Sequence, residues 1–188
     1  MKIISRSIFA LAVVCAFFLA PKQQVFATNA SAISAVKGEM FYTKFSLFYE
    51  KNVYRTTNYR KGTLVPINTE VTFVKANKKE IDVKLPDGVT LRIVNIEPYS
   101  GEDISGIFNR ALDKTAVDLS GFSAMEKTNI EAGTVAAGMS KKAVIAALGY
   151  PPKHKTPNLT GDAWRYWQNR FNTFIVHFEN DKVTGIQQ

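Results

Sequence analysis

Few side chains in this 188-residue chain could do acid–base or nucleophilic chemistry at neutral pH. There are two histidines, His154 and His177, and one cysteine, Cys15. His154 follows the pair Pro151-Pro152 in a polar stretch, and His177 lies inside the alternating run "TFIVHFE". Neither has another histidine or a cysteine at ligand spacing, so the pattern offers no zinc site. His177 facing a carboxylate would be the one conceivable general base, but no nucleophile motif accompanies it. Glu102 and Asp103 are neighbours, yet carboxylates in a first helical turn stabilise the helix N-terminus and need no further role. No glycine-rich phosphate loop is present. The sequence therefore calls for no catalytic residue, no metal and no cofactor, and a hydrolase built on His177 is the weakest reading.

The residues better suited to binding are Trp164, Tyr166, Trp167 and Phe171, interleaved with Arg165 and Arg170. Trp, Tyr and Arg are the side chains that most often anchor interfaces. Alternation along "DAWRYWQ" (162–168) sends Trp164 and Tyr166 to one face of a strand and Arg165 and Trp167 to the other. Trp164 and Tyr166 read as core. Arg165, Trp167, Arg170 and Phe171 are the candidate partner-binding set, with Trp167 expected on the sheet face away from the helices. The plainer alternative packs Arg165 over the Trp167 ring.

The elements that must position these groups follow from periodicity. "EVTFVKA" (70–76) alternates, with Val71, Phe73 and then Lys75 on one face. "EIDVKL" (80–85) puts Ile81, Val83 and Leu85 inward and its charges outward. "PDG" at 86–88 turns the chain into "VTLRIVNI" (89–96), which predicts a hairpin. Residues 58–69, with Gly62 and Pro66, read as a loop leading into a strand. From 100 to 112 the period changes to helical, with Ser100 or Asp103 as N-cap and Ile104, Ile107, Phe108 and Leu112 on one face. A second short helix, capped by Ser120 or Ser123 and closed by Gly133, fits 118–133.

"GMSKKAVIAALGYPP" (138–152) specifies a third helix tightly. Ser140 is its N-cap, Met139 staples the first turn, and Gly149 with Pro151-Pro152 ends it. Val144, Ile145 and Leu148 form its stripe, while Lys141 and Lys142 are expected to face water. Two turns of helix are not stable alone, so it must dock. Its partner is a meander of "DAWRYWQ", "TFIVHFE" (173–179) and "KVTGIQ" (182–187), the last two joined by the polar turn "ENDK".

The chain opens like an exported protein. Lys2 and Arg6 precede the uncharged apolar run from Ile8 to Ala20, which is too short to span a membrane. Val25-Phe26-Ala27 then suits a signal peptidase, with cleavage after Ala27 or, second, after Ala30. Val14 before Cys15 does not suit a lipoprotein signal, so no lipid anchor is expected there, and the mature protein would hold no disulfide. The formal charge of +8 falls to +5 without Lys2, Arg6 and Lys22. Such a balance permits peripheral contact with an anionic membrane or an acidic partner. Export and the scattered lysines argue against nucleic acid.

The order "NIEAG" (129–133), "GMSKKAVIAALGYPP", "WRYW" (164–167), "TFIVHF" (173–178) and "KVTGI" (182–186) resembles the BamE (SmpA/OmlA) family over residues 120–188. That resemblance implies a two-helix, three-stranded α+β fold. It also implies a non-enzymatic envelope role, because the best-known members are outer-membrane lipoproteins serving the machinery that assembles β-barrel proteins. Secreted β-lactamase inhibitors share the arrangement, so binding is implied more firmly than any one partner. The lipobox of the lipoprotein members is absent, and the β-rich region before the resemblance is only faintly SH3-like.

The expected organisation is thus α+β: a signal peptide at 1–27, a flexible N-terminus at 28–37, a β-rich module at 38–97 forming a small barrel or antiparallel sheet, a helical connector at 98–119, and a BamE-like domain at 120–188. The expected function is binding in the periplasm or at the periplasmic face of the outer membrane. The partner would be another envelope protein, with the outer-membrane assembly machinery the leading candidate. The alternative is an envelope protein that binds a wall fragment or inhibits an enzyme.

Overall fold

The computed structural model describes residues 33–188. The expected signal peptide, the expected cleavage site and Cys15 lie outside the described residues. The fold is mixed α+β, with a curled many-stranded sheet first and a three-stranded antiparallel sheet at the C-terminal end.

Seven strands precede the first helix: β1 (Met40–Thr43), β2 (Leu47–Tyr49), β3 (Val53–Arg55), β4 (Thr63–Val65), β5 (Glu70–Ala76), β6 (Glu80–Lys84) and β7 (Thr90–Val94). Two helices follow, α1 (Glu97–Ser100) and α2 (Ile104–Ala111), and then the short strand β8 (Leu112–Asp113). The main sheet runs β3-β7-β6-β5-β1-β8, and β2 pairs with β4 beside it. The hairpin of β6 and β7 pairs in the register set by the turn at Pro86–Gly88, where Gly88 has φ +89°. One pairing departs from the antiparallel expectation: β3 runs parallel to β7.

Alternating positions bury Val71, Phe73, Ile81, Val83, Leu91 and Ile93 into a first core. Ile104, Ile107 and Phe108 of α2 close that core, and β8 joins the sheet by pairing with β1. Residues 98–119 are therefore not a connector over most of their length, because their apolar face is part of the first core. Residues 33–37, expected to be flexible, follow the same logic: Ile33 and Ala35 pack on that core. Two charges also differ from expectation. A bulge between Phe73 and Lys75 turns Lys75 outward. Asp82 is buried, because Arg92 grips its carboxylate at 2.8 Å.

The C-terminal unit comprises α3 (Ala124–Ala132), α4 (Lys141–Leu148), β9 (Ala163–Trp167), β10 (Thr173–Glu179) and β11 (Lys182–Gln187). The strand order is β11-β10-β9, all antiparallel. Ser123 and Glu126 form a capping box at α3, and Ser140 caps α4. The second core holds Ile130, Met139, Val144, Leu148, Trp164, Tyr166, Val176 and Phe178. Ile67 from the β-rich region also belongs to it. Ala143, Ala146 and Ala147 are all buried, so α4 lies close against its neighbours. Lys141 does not face water as expected. Its ammonium bridges Asp162 at 3.3 Å and Asp181 at 3.0 Å, and lies over the Phe178 ring.

Among the described residues, no helix is long and apolar enough to cross a membrane.

Candidate functional site

The two cores are joined by a seam of buried polar groups, and the candidate surface is built on it. Three residues between β3 and β4 carry the seam: Asn58, Tyr59 and Arg60. Asn58 is 1% exposed and holds a left-handed backbone, φ +55°. Asparagine tolerates that conformation better than most residues. Its side-chain amide donates to the carbonyls of Leu148 at 2.7 Å and Tyr150 at 3.0 Å, closing the end of α4. Arg60 donates to the carbonyls of Gly133, Ala147, Leu148 and Ser46 at 2.8–3.2 Å. One guanidinium thus satisfies carbonyl groups that the ends of both α3 and α4 leave open, where a positive charge also suits the helix dipole. Burial pulls the Arg60 pKa down to about 10, with the nearby Tyr54 and Tyr166 hydroxyls acting against that change. Ser46 completes the seam. Its hydroxyl donates to Ile130 and accepts from the Ile67 N–H, both at 2.9 Å.

This seam places Trp167. The Arg60 N–H donates to the Trp167 carbonyl at 3.0 Å, and Tyr59 bridges to Trp167 in parallel. The β-rich region therefore adds itself to the edge of β9. The Tyr59 and Trp167 rings meet edge to face, with centroids 6.5 Å apart. On the other side, His154 stacks on Trp167 at 6.4 Å and 17°, and Tyr99 meets His154 at 4.3 Å. Four rings from four separate segments form one row: Tyr99, His154, Trp167, Tyr59. The expectation that Trp167 stands on an open sheet face is thus corrected. It is half-buried, because Tyr59 and His154 cover it from either side.

His154 and Tyr99 are the exposed end of the row. Burial, with Lys155 adding to it, lowers the His154 pKa and favours a neutral ring at neutral pH. Beyond Tyr59 the surface dips into a hollow of about 150 Å³ lined by Phe48, Glu50, Val53, Arg55, Tyr59 and Lys61. Basic residues accompany the row in sequence: Lys153 and Lys155 beside His154, Arg165 beside Trp167, and Arg55 and Lys61 in the hollow.

The other candidates fall near this row but not in it. Arg165 does not lie over Trp167; its guanidinium donates to the Thr173 hydroxyl at 3.0 Å, across to β10. Arg170 and Phe171 occupy the β9–β10 turn, with the guanidinium 5.8 Å from the ring. Phe171 is 82% exposed, the most exposed large apolar side chain described. Trp164 and Tyr166 are core, at 1% and 0% exposure, and the Tyr166 hydroxyl donates to the Gly149 carbonyl at 3.0 Å. His177 lies on the outer sheet face, with its Nε2 3.2 Å from the Gln187 side-chain oxygen. Among the described residues, no carboxylate pairs with it and no group of three acidic, histidine or cysteine residues could hold a metal ion.

Sequence reasoning did not find Tyr59, Tyr99, Asn58, Arg60 or Ser46 as site residues. The signal for Asn58 was its place in a turn-like stretch, but nothing local announces that it caps a helix 90 residues later. No protein-family model, curated protein or solved structure matches this chain.

Proposed function

We propose that this chain is an exported, non-enzymatic binding protein of the cell envelope, an assembly or scaffolding factor that docks through the surface centred on Trp167. The observation that carries the reading is the row Tyr99–His154–Trp167–Tyr59, assembled from four segments across the seam. Rings held in fixed positions lose little freedom when a partner covers them, and Trp, Tyr and Arg are enriched where binding energy concentrates. Arg165, Arg170 and Phe171 extend the surface around the β9–β10 turn. The basic residues along it fit an acidic protein patch.

We read the C-terminal unit as BamE-like. The order of two short helices followed by a three-stranded antiparallel meander supports that reading, as does the tight end of α4 at Gly149. A periplasmic site of action and a partner within the outer-membrane assembly machinery follow from it as proposals. A second reading is favoured by the hollow beyond Tyr59. Its lining, Phe48, Tyr59 and Arg55 beside the Lys61–Glu50 ion pair, suits a small polar wall fragment.

Site-specific photo-crosslinking in intact cells tests the main reading. A crosslinking residue at Tyr99 should trap one envelope protein. The same residue at Lys78, on the exposed β5–β6 turn, should not. Equal trapping at both positions, or none at Tyr99, would contradict it.

A further inference from the structure

The inner face of the C-terminal sheet is sealed along most of its length and open at one end. Register places Trp164, Val176 and Ile186 in one row across β9, β10 and β11, and Tyr166 with Phe174 in the next. Trp164, Val176 and Tyr166 are buried in the second core. Ile186 is 41% exposed and Phe174 is half-buried, although both share that same face. A cleft of about 320 Å³ lies over them, within the size range of small-molecule sites. Phe48 and Val135 are its other apolar walls, with Leu148 behind. Core-facing apolar side chains left open in this way gain by being covered.

No lining side chain offers a ligand a free charge. Arg60 uses its terminal N–H groups on the carbonyls of Ser46, Gly133, Ala147 and Leu148. Its Nε is shut off from solvent, and the Phe48 ring lies over the guanidinium at 4.5 Å. It therefore has no donor for an anion, while its positive charge repels a cation. The other polar side chains are neutral. The Thr134 hydroxyl already donates to the Asn129 side chain, which leaves the carboxamides of the exposed residues Gln168 and Gln188. An ion entering the cleft would lose its hydration without gaining a partner. A carboxamide can both donate to and accept from an uncharged oxygen group.

We propose that this cleft binds an uncharged single-chain amphiphile, whose hydrocarbon chain completes the second core over Phe174 and Ile186 and whose neutral oxygen-bearing end meets Gln168. The apolar walls select a hydrocarbon body over a sugar. The neutral rim selects an uncharged end over an ion of either sign. This inference rests on the cleft alone and does not depend on the docking surface around Trp167.

Titration of the whole exported chain with n-octanol, followed by amide NMR, tests it. Octanol should saturate a single site and shift the backbone signals of Val135, Phe174 and Ile186 together with the side-chain amide of Gln168. Octanoate and octyltrimethylammonium should each bind about tenfold more weakly or worse, because either ion must be desolvated without a partner. Arg60 also holds α3 and α4, so the cleft is blocked from its rim instead. Ile186→Trp and Val135→Trp should each weaken octanol about tenfold or more by filling the apolar space, with an unchanged melting temperature. Either ion bound as tightly as octanol would overturn the preference for an uncharged ligand. No saturable octanol binding, or wild-type affinity in both rim variants, would overturn the site.

Discussion

The backbone N–H of Arg60 donates to the carbonyl of Trp167 at 3.0 Å, and the same residue's guanidinium closes the ends of α3 and α4. One residue of the β-rich region thus fixes both the edge of the C-terminal sheet and the helices packed on it. The two cores should consequently unfold together, although each has its own apolar interior.

Arg60→Lys tests that coupling. An ammonium cannot reach four carbonyls in the planar pattern that a guanidinium does. Losing charge-assisted bonds to buried carbonyls should cost about 3 kcal/mol. Denaturant melts followed by tryptophan fluorescence and by far-UV circular dichroism should shift together. A loss below about 1 kcal/mol, or two separated transitions, would show that Arg60 does not join the cores.

The end of α4 gives a second prediction. Leu148 is 2% exposed, so Leu148→Ala should cost about 2–5 kcal/mol. Gly149 has φ +73°, and a Cβ there would lie 2.7 Å from the Phe45 ring. Gly149→Ala should therefore destabilise by about 1–3 kcal/mol from backbone strain, with the clash adding to it. Lys141→Ala should cost about 1 kcal/mol, since both of its acidic partners are exposed. Melts that ranked Lys141 with Leu148 would show the ion pairs, not the stripe, to hold this helix.

Glu126 makes stability depend on pH. Its side chain is 7% exposed, and burial alone would raise its pKa. The N–H groups and hydroxyls of Ser140 and Ser123 outweigh that and pull the pKa down to about 2. A carboxyl with a lower pKa folded than unfolded stabilises above the unfolded value, and the contribution disappears as pH falls to the folded value. Glu126→Gln should cost at most about 3 kcal/mol at pH 7. The gap from wild type should narrow below about pH 4.5 and close towards pH 2. Chemical melts at pH 7, 4 and 3 check this; a gap independent of pH would contradict it.

Much of the fold was legible from local signals. Alternation located β5, β6, β7, β9, β10 and β11; Ser140 starts α4 as expected, and of the paired alternatives the sequence offered, Asp103 rather than Ser100 starts α2 and Ser123 rather than Ser120 starts α3. Those signals are periodic or lie within one turn of the residue they affect. What the sequence hid was long-range. The parallel pairing of β3 with β7 and the capping of α4 by Asn58 are contacts between distant segments with no local signature. Trp167 shows the consequence for the site. Alternation put it on the correct strand face, but only the seam explains why Tyr59 and His154 cover it.

The central claim is that this surface binds an envelope protein through its rings, and the exposed end of the row tests it most directly. His154→Ala and Tyr99→Ala remove rings that touch the row but lie in neither core. The measurement is the affinity of each variant for the protein crosslinked at Tyr99, taken alongside its melting temperature and its binding to anionic vesicles. The expected result is a loss of about 30-fold or more in affinity for each variant, corresponding to roughly 2 kcal/mol, with melting temperature and vesicle binding unchanged. Affinity within twofold of wild type in both variants, with the fold intact, would contradict it.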